Sequence, residues 1–377
     1  MDQSNLKTLI EFRRHLHQYP EISGKEVNTA RRVKDFFKSC PPDEIIEGIG
    51  GHGIAFTYKG AEDGPTTLIR CELDGLPIYE KNDFVYASKN PGSFHGCGHD
   101  GHMAIVAGVG MHLTAHKPKK GKVVLLYQPA EETGEGAAAI LNSKRFQNIQ
   151  PDYAFAIHNL PGFDLNQIIL KVGAFAAASK GMIIQLKGKT SHAAHPEAGK
   201  SPSEAMCKLI VALPKLPEDI DNFTLLTVVH ALLGSEAFGT SPGEATVMAT
   251  LRAYEDDALN LLTSYAETLA RQLAHEYSLE IDISYTESFA ATVNHSGAYE
   301  IIKTAAKNIG LSMDVLDTPF RWSEDFGQFS KSAKTTIVGL GAGKYLPQLH
   351  EPTYDFPDEI LEIGISLFIE TLKDLNY

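Results

Sequence analysis

The stretch Phe94–Met103 reads FHGCGHDGHM and places one thiol, three imidazoles and one carboxylate in ten residues. Gly98 stands between Cys97 and His99 and permits the tight backbone bend that both side chains need to reach one metal ion. A Cys-x-His pair on its own is usually incidental. The apolar run Ala104–Gly110 follows directly, so the stretch also predicts a buried helix over residues 101–115.

Outward from this helix, polar groups follow two near-continuous apolar strands. Lys122–Tyr127 (KVVLLY) precedes Glu131 and Glu132, and Tyr153–Ile157 precedes His158. Apolar runs without alternation are typical of a parallel sheet that is covered on both faces. Ligand sites in open α/β sheets lie beyond the carboxyl ends of the strands, so we expect these polar groups to share one site. In an extended segment the two adjacent carboxylates would point to opposite sides, one toward a metal ion and one toward substrate.

His350 follows a glycine-rich loop and completes a set of five nitrogen, sulfur and oxygen donors. Taken singly, each has an ordinary explanation as a surface or turn residue. The set is Cys97, His99, Glu132, His158 and His350. Five such donors suit two divalent cations of borderline softness, such as Zn, Mn, Co or Ni. Metal-activated water would then lose its proton to a free carboxylate nearby, and Glu131 is the candidate for this general base.

The order of elements changes at about residue 178. Residues 178–289 predict strand, helix, strand, strand, helix and strand, which is the order of a ferredoxin-like domain. The chain then returns to a helix at 299–309 and a strand at 334–338. We therefore predict an α/β fold in which residues 1–177 and 290–377 form a mixed-sheet catalytic domain. Residues 178–289 form an α+β domain inserted into it.

Composition argues against several classes of function. The 377 residues carry a formal net charge of -13, and no dense Lys/Arg cluster offers a surface for nucleic acid. No apolar run reaches the roughly 18 residues of a membrane span. The four cysteines form no CxxC pair, and the N-terminal residues lack the apolar core of a signal peptide. These features predict a cytoplasmic protein with neither nucleic-acid nor membrane partners.

Ordered motifs along nearly the whole chain resemble the M20 metallopeptidase and amidohydrolase family, specifically its branch of N-acyl-amino-acid, hippurate and indole-acetyl-amino-acid hydrolases. The motifs are Arg13–His17 (RRHLH), Leu73–Pro77 (LDGLP), His95–His102 (HGCGHDGH), Gln128–Glu132 (QPAEE), Ile157–Pro161 (IHNLP), Gly188–Ala194 (GKTSHAA), Ser323–Phe326 (SEDF) and Leu349–His350. The resemblance implies a catalytic domain of zinc-peptidase type that hydrolyses the amide bond of N-acyl amino acids. It further implies a homodimer formed through the inserted domain, which would also act as a lid.

The resemblance also implies roles for individual residues. The five donors would bind two divalent metal ions per chain, with Glu131 as general base. Asp74 would orient one of the metal ligands. His192, in the inserted domain, would stabilise the tetrahedral oxyanion. Arg252 would bind a carboxylate of the substrate as a fork, although a structural ion pair is an equal alternative.

Two other functions fit the same fold. One is a dipeptidase or aminopeptidase; the pairing of Cys97 with His99, where peptidase branches more often use Asp, favours the amidohydrolase. The other is a catalytically silent protein that binds a small acid, against which the retained Glu131 argues. Two positions depart from the family pattern. Glu72 stands where Asp is usual, and Gly239 stands where a substrate-binding Asn is usual.

Overall fold

Alternating apolar strands and helices form sixteen β-strands and eight α-helices in a computed structural model that describes residues 2–377. The strands are β1 (Glu44–Ile49), β2 (Gly53–Lys59), β3 (Glu62–Glu72), β4 (Lys120–Gln128), β5 (Tyr153–Pro161), β6 (Ile168–Leu170), β7 (Gly173–Ala176), β8 (Ala178–Lys187), β9 (Ser191–His192), β10 (Thr224–Leu233), β11 (Thr240–Ser241), β12 (Glu244–Ala253), β13 (Glu280–Phe289), β14 (Thr292–Asn294), β15 (Met313–Val315) and β16 (Lys334–Gly343). The helices are α1 (Gln3–Gln18), α2 (Val27–Phe36), α3 (His99–Ala115), α4 (Gly136–Asn142), α5 (Ser203–Ala212), α6 (Asp256–Glu276), α7 (Ser296–Asn308) and α8 (Leu361–Asn376).

The chain divides into two units. Unit 1 runs to Phe175 and resumes with Val293–Thr318 and Asp325–Tyr377. Unit 2 comprises Ala176–Thr292 and Pro319–Glu324. The short segment Pro319–Glu324 lies outside the range 178–289 that the sequence predicted for the second domain. No helix among residues 2–377 has the length and apolar character that a membrane crossing requires.

Unit 1 is built on an eight-stranded mixed sheet in the order β1-β2-β4-β3-β5-β16-β6-β15. β3 runs parallel to β4 and β5, and β5 runs parallel to β16, so the carboxyl ends of these four strands meet at one edge. β4 and β5 are apolar without alternation because both of their faces are buried. The predicted mixed α/β class is confirmed.

Helix α3 is the predicted buried helix, and it begins two residues earlier, at His99. Small residues allow it to pack closely against α8. A Cβ atom on Gly108 would lie 2.4 Å from Ile365 Cδ1, and one on Gly364 would lie 2.6 Å from Ile105 Cδ1. Each helix therefore places a glycine against an isoleucine of the other, and a larger residue at either glycine would push the helices apart.

Unit 2 contains a four-stranded antiparallel sheet in the order β10-β12-β8-β13. The chain passes through β8, α5, β10, β12, α6 and β13, which is the connectivity of a ferredoxin-like fold. Buried residues alternate with more exposed ones along β12, because α5 and α6 cover only one face of the sheet. A short pairing of β9 with β11 places Ser191 opposite Ser241 and His192 opposite Thr240.

Strand β5 is longer than the sequence predicted. The apolar run ends at Ile157, but the strand continues through His158 to Pro161. Its pairing with β16 continues as well, with His158 opposite Gly339. The prediction that the strand ends before His158 is therefore wrong, because backbone pairing rather than side-chain polarity sets its end.

Candidate metal centre

All five predicted metal ligands lie together at the edge where the parallel strands end. Their ligand atoms belong to three overlapping groups, and within each group the atoms lie within 4.8 Å of one another. The groups are Cys97 with His99 and His158, Cys97 with Glu132 and His350, and His99 with Glu131 and Glu132. Because the groups share members, the five predicted ligands and Glu131 form one continuous cluster.

Gly98 sets the direction of the two ligands in the opening motif. It adopts a left-handed conformation with φ of +85° immediately before α3. A Cβ atom at this position would lie 2.2 Å from Oδ1 of Asn159, so the site requires glycine for both conformation and space. The bend that the sequence predicted between Cys97 and His99 therefore occurs where it was expected.

The tautomer of His99 is fixed by its surroundings. Its Nδ1 atom lies 2.8 Å from the backbone carbonyl oxygen of Asp74, which can only accept, so Nδ1 carries the proton. Nε2 is buried, has no hydrogen-bond partner among residues 2–377, and lies 3.8 Å from carboxylate oxygens of both Glu131 and Glu132. A buried ring nitrogen that faces carboxylates is the arrangement that a metal ion satisfies.

His158 shows the same arrangement. Its Nδ1 atom donates to the backbone carbonyl oxygen of Asn159 at 2.9 Å. Its Nε2 atom then presents a lone pair 3.5 Å from Sγ of Cys97, which is 6% exposed. Both buried histidines are thus prepared as Nε2 ligands, and a thiolate and carboxylates complete the donor types that zinc and its neighbours prefer.

His350 approaches the cluster from the loop after β16. Its backbone adopts a φ of +68°, and its N–H donates to the carbonyl oxygen of Gly96 at 2.9 Å, which ties this loop to the opening motif. Its Nε2 atom lies 3.7 Å from Oε2 of Glu132. Burial and the positive charge of His99 both lower the pKa of His350, which favours the neutral form that binds metal.

The electrostatics of the cluster favour cations. Burial alone would lower the pKa of His99, but the hydrogen bond to Asp74 and the charges of Glu72, Glu132 and Asp74 outweigh it and raise the pKa to about 10. The carboxylates therefore stabilise a positive charge at this position. A divalent cation supplies that charge more completely than a proton does, so the residues present fit a metal site.

The two adjacent carboxylates lie in a turn after β4. The N–H of Gly134 donates to the carbonyl oxygen of Glu131 at 2.8 Å, and Ala130 has a left-handed φ of +51°. The prediction that Glu131 and Glu132 occupy an extended segment is therefore wrong. Both side chains instead point toward His99, although Glu132 alone also approaches His350.

Asp74 contacts this turn as well as the ligand that it was predicted to orient. Its backbone carbonyl oxygen accepts from His99, while its Oδ2 atom accepts from the backbone N–H of Glu132 at 3.0 Å and from Ser23 Oγ at 2.7 Å. Burial opposes ionisation of Asp74, but the contacts with His99, Ser23 and Glu132 together hold its pKa below the usual value. An ionised Asp74 adds to the negative charge around the cluster.

The sequence did not predict a buried hydrogen-bond chain behind His158. His102 Nε2 accepts from the backbone N–H of Asn159 at 3.1 Å, so its proton is on Nδ1, which donates to Glu72 Oε2 at 2.7 Å. Arg70 binds Glu72 in turn. The sequence spacing of these residues could have indicated the chain. Arg70 and Glu72 are two residues apart and therefore lie on one face of β3, and His102 lies one helical turn after His99. Glu72, the departure from the family pattern, is thus a member of this chain.

The two predicted site residues of unit 2, His192 and Arg252, have hydrogen-bond partners within that unit. The backbone N–H of Ala194 donates to His192 Nδ1 at 3.0 Å, so the proton of this exposed imidazole is on Nε2. Arg252 Nη1 donates to the carbonyl oxygen of Arg321 at 3.0 Å and to Ser323 Oγ at 3.3 Å. No carboxylate among residues 2–377 forms a salt bridge with Arg252, so the ion-pair alternative has no partner there.

A mixed α/β fold with imidazole, thiol and carboxylate donors at its sheet edge defines the class of this protein: it is a metal-dependent hydrolase. The chain belongs to Peptidase family M20/M25/M40, whose family model matches residues 68–374.

Similar proteins cover almost the whole chain. It is 30% identical over 378 residues to the N-acetyl-L-cysteine deacetylase of Bacillus subtilis, covering 98% of this chain and 88% of that protein. It is 29% identical over 363 residues to the hippurate hydrolase of Campylobacter jejuni, and the match covers 95% of this chain and 94% of that protein. A crystal structure from Bacillus subtilis, described as a dinuclear metal-binding peptidase of the M20 family, matches with a TM-score of 0.83 and 25% identity, covering 98% of each chain.

Proposed function

We propose that the protein hydrolyses the amide bond of N-acyl amino acids or related small conjugates, releasing a carboxylic acid and a free amine. The observation that carries the proposal is the buried cluster in which the Nε2 atoms of His99 and His158 face a thiol and two carboxylates. The substrate class is supported by the two relatives named for N-acetyl-L-cysteine and hippurate, both of which are N-acyl amino acids.

The proposal assigns two divalent metal ions to the cluster, with Zn, Mn, Co or Ni as candidates. Cys97, His99, Glu132, His158 and His350 would hold them. Three overlapping donor groups support more than one ion, as does the similar structure that is described as dinuclear. When bound, such ions polarise the amide carbonyl and make water acidic enough to act as a nucleophile near neutral pH.

Glu131 is the proposed general base. Its carboxylate is buried and lies 3.8 Å from His99 Nε2, beside the donors but without the second contact to His350 that Glu132 makes. It would accept a proton from water as the water oxygen bonds to the carbonyl carbon. The carbon–nitrogen bond then breaks, and Glu131 returns that proton to the leaving amine. One carboxylate thus serves both halves of the reaction.

Two residues of unit 2 are proposed to bind the substrate. His192 would donate from Nε2 to the oxyanion of the tetrahedral intermediate, a role supported by its fixed tautomer and its exposure. Arg252 would bind the carboxylate of the amino-acid product half, since its guanidinium forms no salt bridge with a carboxylate among residues 2–377.

A substrate panel tests the proposal. Purified protein loaded with Mn, Zn or Co is assayed against N-acetyl, N-benzoyl and indole-acetyl amino acids, with dipeptides as controls. Hydrolysis of at least one N-acyl series faster than the dipeptides is expected. Faster cleavage of dipeptides would instead identify a peptidase, and binding of the acids without turnover would identify a silent binding protein.

A homodimer through unit 2 is also proposed. β10 lies at the edge of its sheet, and Leu225, Val229 and Leu232 on it are exposed. An apolar edge strand can pair with the same strand of a second copy. For the cellular location we infer the cytoplasm, because no disulfide joins any of the four cysteines in residues 2–377. Recovery of the protein outside the cytoplasmic fraction of its cells would refute this.

A further inference from the structure

The turn that bears Glu131 and Glu132 begins with a backbone conformation that its sequence does not favour. Ala130 has φ of +51°, which is unfavourable for an L-residue with a Cβ atom. Such a conformation persists only where surrounding contacts impose it. The contacts that hold Ala130 therefore control where the two carboxylates point.

One of these contacts comes from a distant part of the chain. Oε1 of Glu26 accepts the backbone N–H of Ala130 at 2.8 Å, across 104 residues of sequence. The same oxygen accepts the backbone N–H of Gly24 at 2.8 Å. Glu26 lies immediately before α2, so the start of this helix is tied to the turn.

A second contact from the same segment reaches the turn two residues later. Ser23 Oγ donates to Asp74 Oδ2, and that oxygen also accepts the backbone N–H of Glu132. The segment from Ser23 to Glu26 thus supports both ends of the Ala130–Glu132 backbone, directly through Glu26 and indirectly through Asp74.

Glu26 is an unusual residue for a purely structural position. It is 0% exposed, and its Oε2 atom has no hydrogen-bond partner among residues 2–377. Burial, and more weakly the charge of Asp74, raise its pKa against the opposing effect of its backbone hydrogen bonds. No basic side chain among residues 2–377 forms a salt bridge with Glu26. A buried carboxyl group without a basic partner is costly, and an apolar residue would fill the space more favourably.

We propose that Glu26 is a positioning residue for the hydrolysis: by accepting the N–H of Ala130, it fixes the turn that aims Glu131 and Glu132 at the metal centre. The inference rests on the proposed roles of these two carboxylates. What matters is a hydrogen-bond acceptor at Oε1, and Glu26 acts through the turn without touching substrate.

Three variants test this proposal. Glu26→Ala removes the acceptor, whereas Glu26→Gln retains it in nearly the same volume. Glu21→Ala is the matched structural control. Glu21 also accepts bonds at the start of α2, from the backbone N–H and hydroxyl of Thr29, and none of its side-chain hydrogen bonds within residues 2–377 goes to the turn. Each variant is compared with the parent protein for kcat and KM on the best substrate of the panel, metal content, melting temperature, and hydrogen exchange of the peptide covering residues 128–136.

For Glu26→Ala we expect kcat to fall roughly tenfold to a hundredfold with KM nearly unchanged, because a small displacement of a catalytic group costs about this much. Exchange in residues 128–136 should accelerate while metal content is retained. Glu26→Gln should keep kcat within about threefold of the parent. Glu21→Ala should lower the melting temperature without lowering kcat and without accelerating exchange in residues 128–136.

Two results would overturn the inference. The first is a Glu26→Ala protein with unchanged kcat and unchanged hydrogen exchange in residues 128–136. The second is a Glu26→Gln protein that loses as much kcat as Glu26→Ala, because the charge rather than the acceptor would then be decisive. Hydrogen exchange reports on the turn even if no amide is hydrolysed. Faster exchange in Glu26→Ala with an inactive parent would therefore refute the proposed function while leaving the positioning role of Glu26 supported.

Discussion

Glu131 and Glu132 are adjacent in the chain, but their carboxylates have different neighbours. Each places one oxygen 3.8 Å from His99 Nε2, and Glu132 also places its other oxygen 3.7 Å from His350 Nε2. A carboxylate between two imidazoles is suited to bind metal. Glu131 lies beside His99 without a contact to His350, and it is the carboxylate proposed for proton transfer.

This difference predicts opposite phenotypes for two isosteric substitutions. Glu131→Gln should abolish turnover and leave metal content unchanged, because an amide cannot accept the proton of water. Glu132→Gln should lower metal content, because an amide is a weaker ligand than a carboxylate. Metal analysis of both proteins alongside kcat measurements distinguishes them; retained turnover in Glu131→Gln would mean that another residue is the base.

His192 presents its Nε2–H to solvent because Nδ1 already accepts from Ala194. His192→Ala should therefore lower kcat on the order of a hundredfold through loss of an oxyanion donor. The matched control is His195→Ala, which removes an exposed imidazole three residues further along the chain. Equal rates for His192→Ala and the parent protein would remove His192 from the mechanism.

His102 connects Glu72 to the backbone of Asn159, whose carbonyl oxygen orients His158. His102→Ala leaves the buried N–H of Asn159 without its acceptor and should weaken metal binding about tenfold to a hundredfold, as loss of such supporting contacts commonly does. Competition with a chelator measures this affinity. His112→Ala, on the same helix, is the control, and an unchanged affinity in His102→Ala would contradict the prediction.

The clustering of the predicted donors follows from the sequence, because donors come after apolar strands and parallel strands bring their ends to one edge. The positions of Glu132 and His158 follow from this geometry alone. The supporting residues could not be found in the same way, since Glu26 and Ala130 meet only through tertiary packing across 104 residues. No local pattern distinguishes a buried Glu26 from a solvated residue before a helix.

The errors of the sequence interpretation have a common physical cause. The apolar run predicts that β5 ends before His158, yet the strand continues because its backbone still pairs with β16. The sequence interpretation places Glu131 in an extended segment, whereas the structure places it in a turn, and a contact from a distant part of the chain holds Ala130 at a positive φ. In both cases tertiary hydrogen bonds overrode local preference.

A buried ion pair that includes none of the proposed metal ligands predicts a pH dependence of stability. His17 Nδ1 lies 2.9 Å from Asp100 Oδ2, and Nε2 lies 3.1 Å from Glu80 Oε1, so both ring nitrogens donate and the imidazole is charged. Burial lowers the pKa of His17, and so does Arg13, but Asp100 and Glu80 outweigh them and raise it to about 9.

Because the folded pKa exceeds the unfolded value of 6.5, this stabilisation is complete below about pH 6.5 and is lost as the pH rises through 9. The difference corresponds to on the order of 3 kcal/mol in the free energy of unfolding. Urea unfolding at pH 6 and pH 9.5 should show this loss in the parent and a smaller one in His17→Gln. Identical pH dependence in the two proteins would show that His17 is not charged in the folded state.

The exposed edge strand β10 predicts the effect of a charge on assembly. Val229 is 60% exposed on β10, and Val211 is 61% exposed on helix α5. If two copies pair through β10, Val229→Glu places a carboxylate in each of two strands that face one another, and like charges across paired strands repel. Val211→Glu adds the same charge at equal exposure away from the edge strand. Sedimentation equilibrium should therefore show that the parent and Val211→Glu proteins are dimers and that the Val229→Glu protein is a monomer. A dimeric Val229→Glu protein would exclude β10 from the interface.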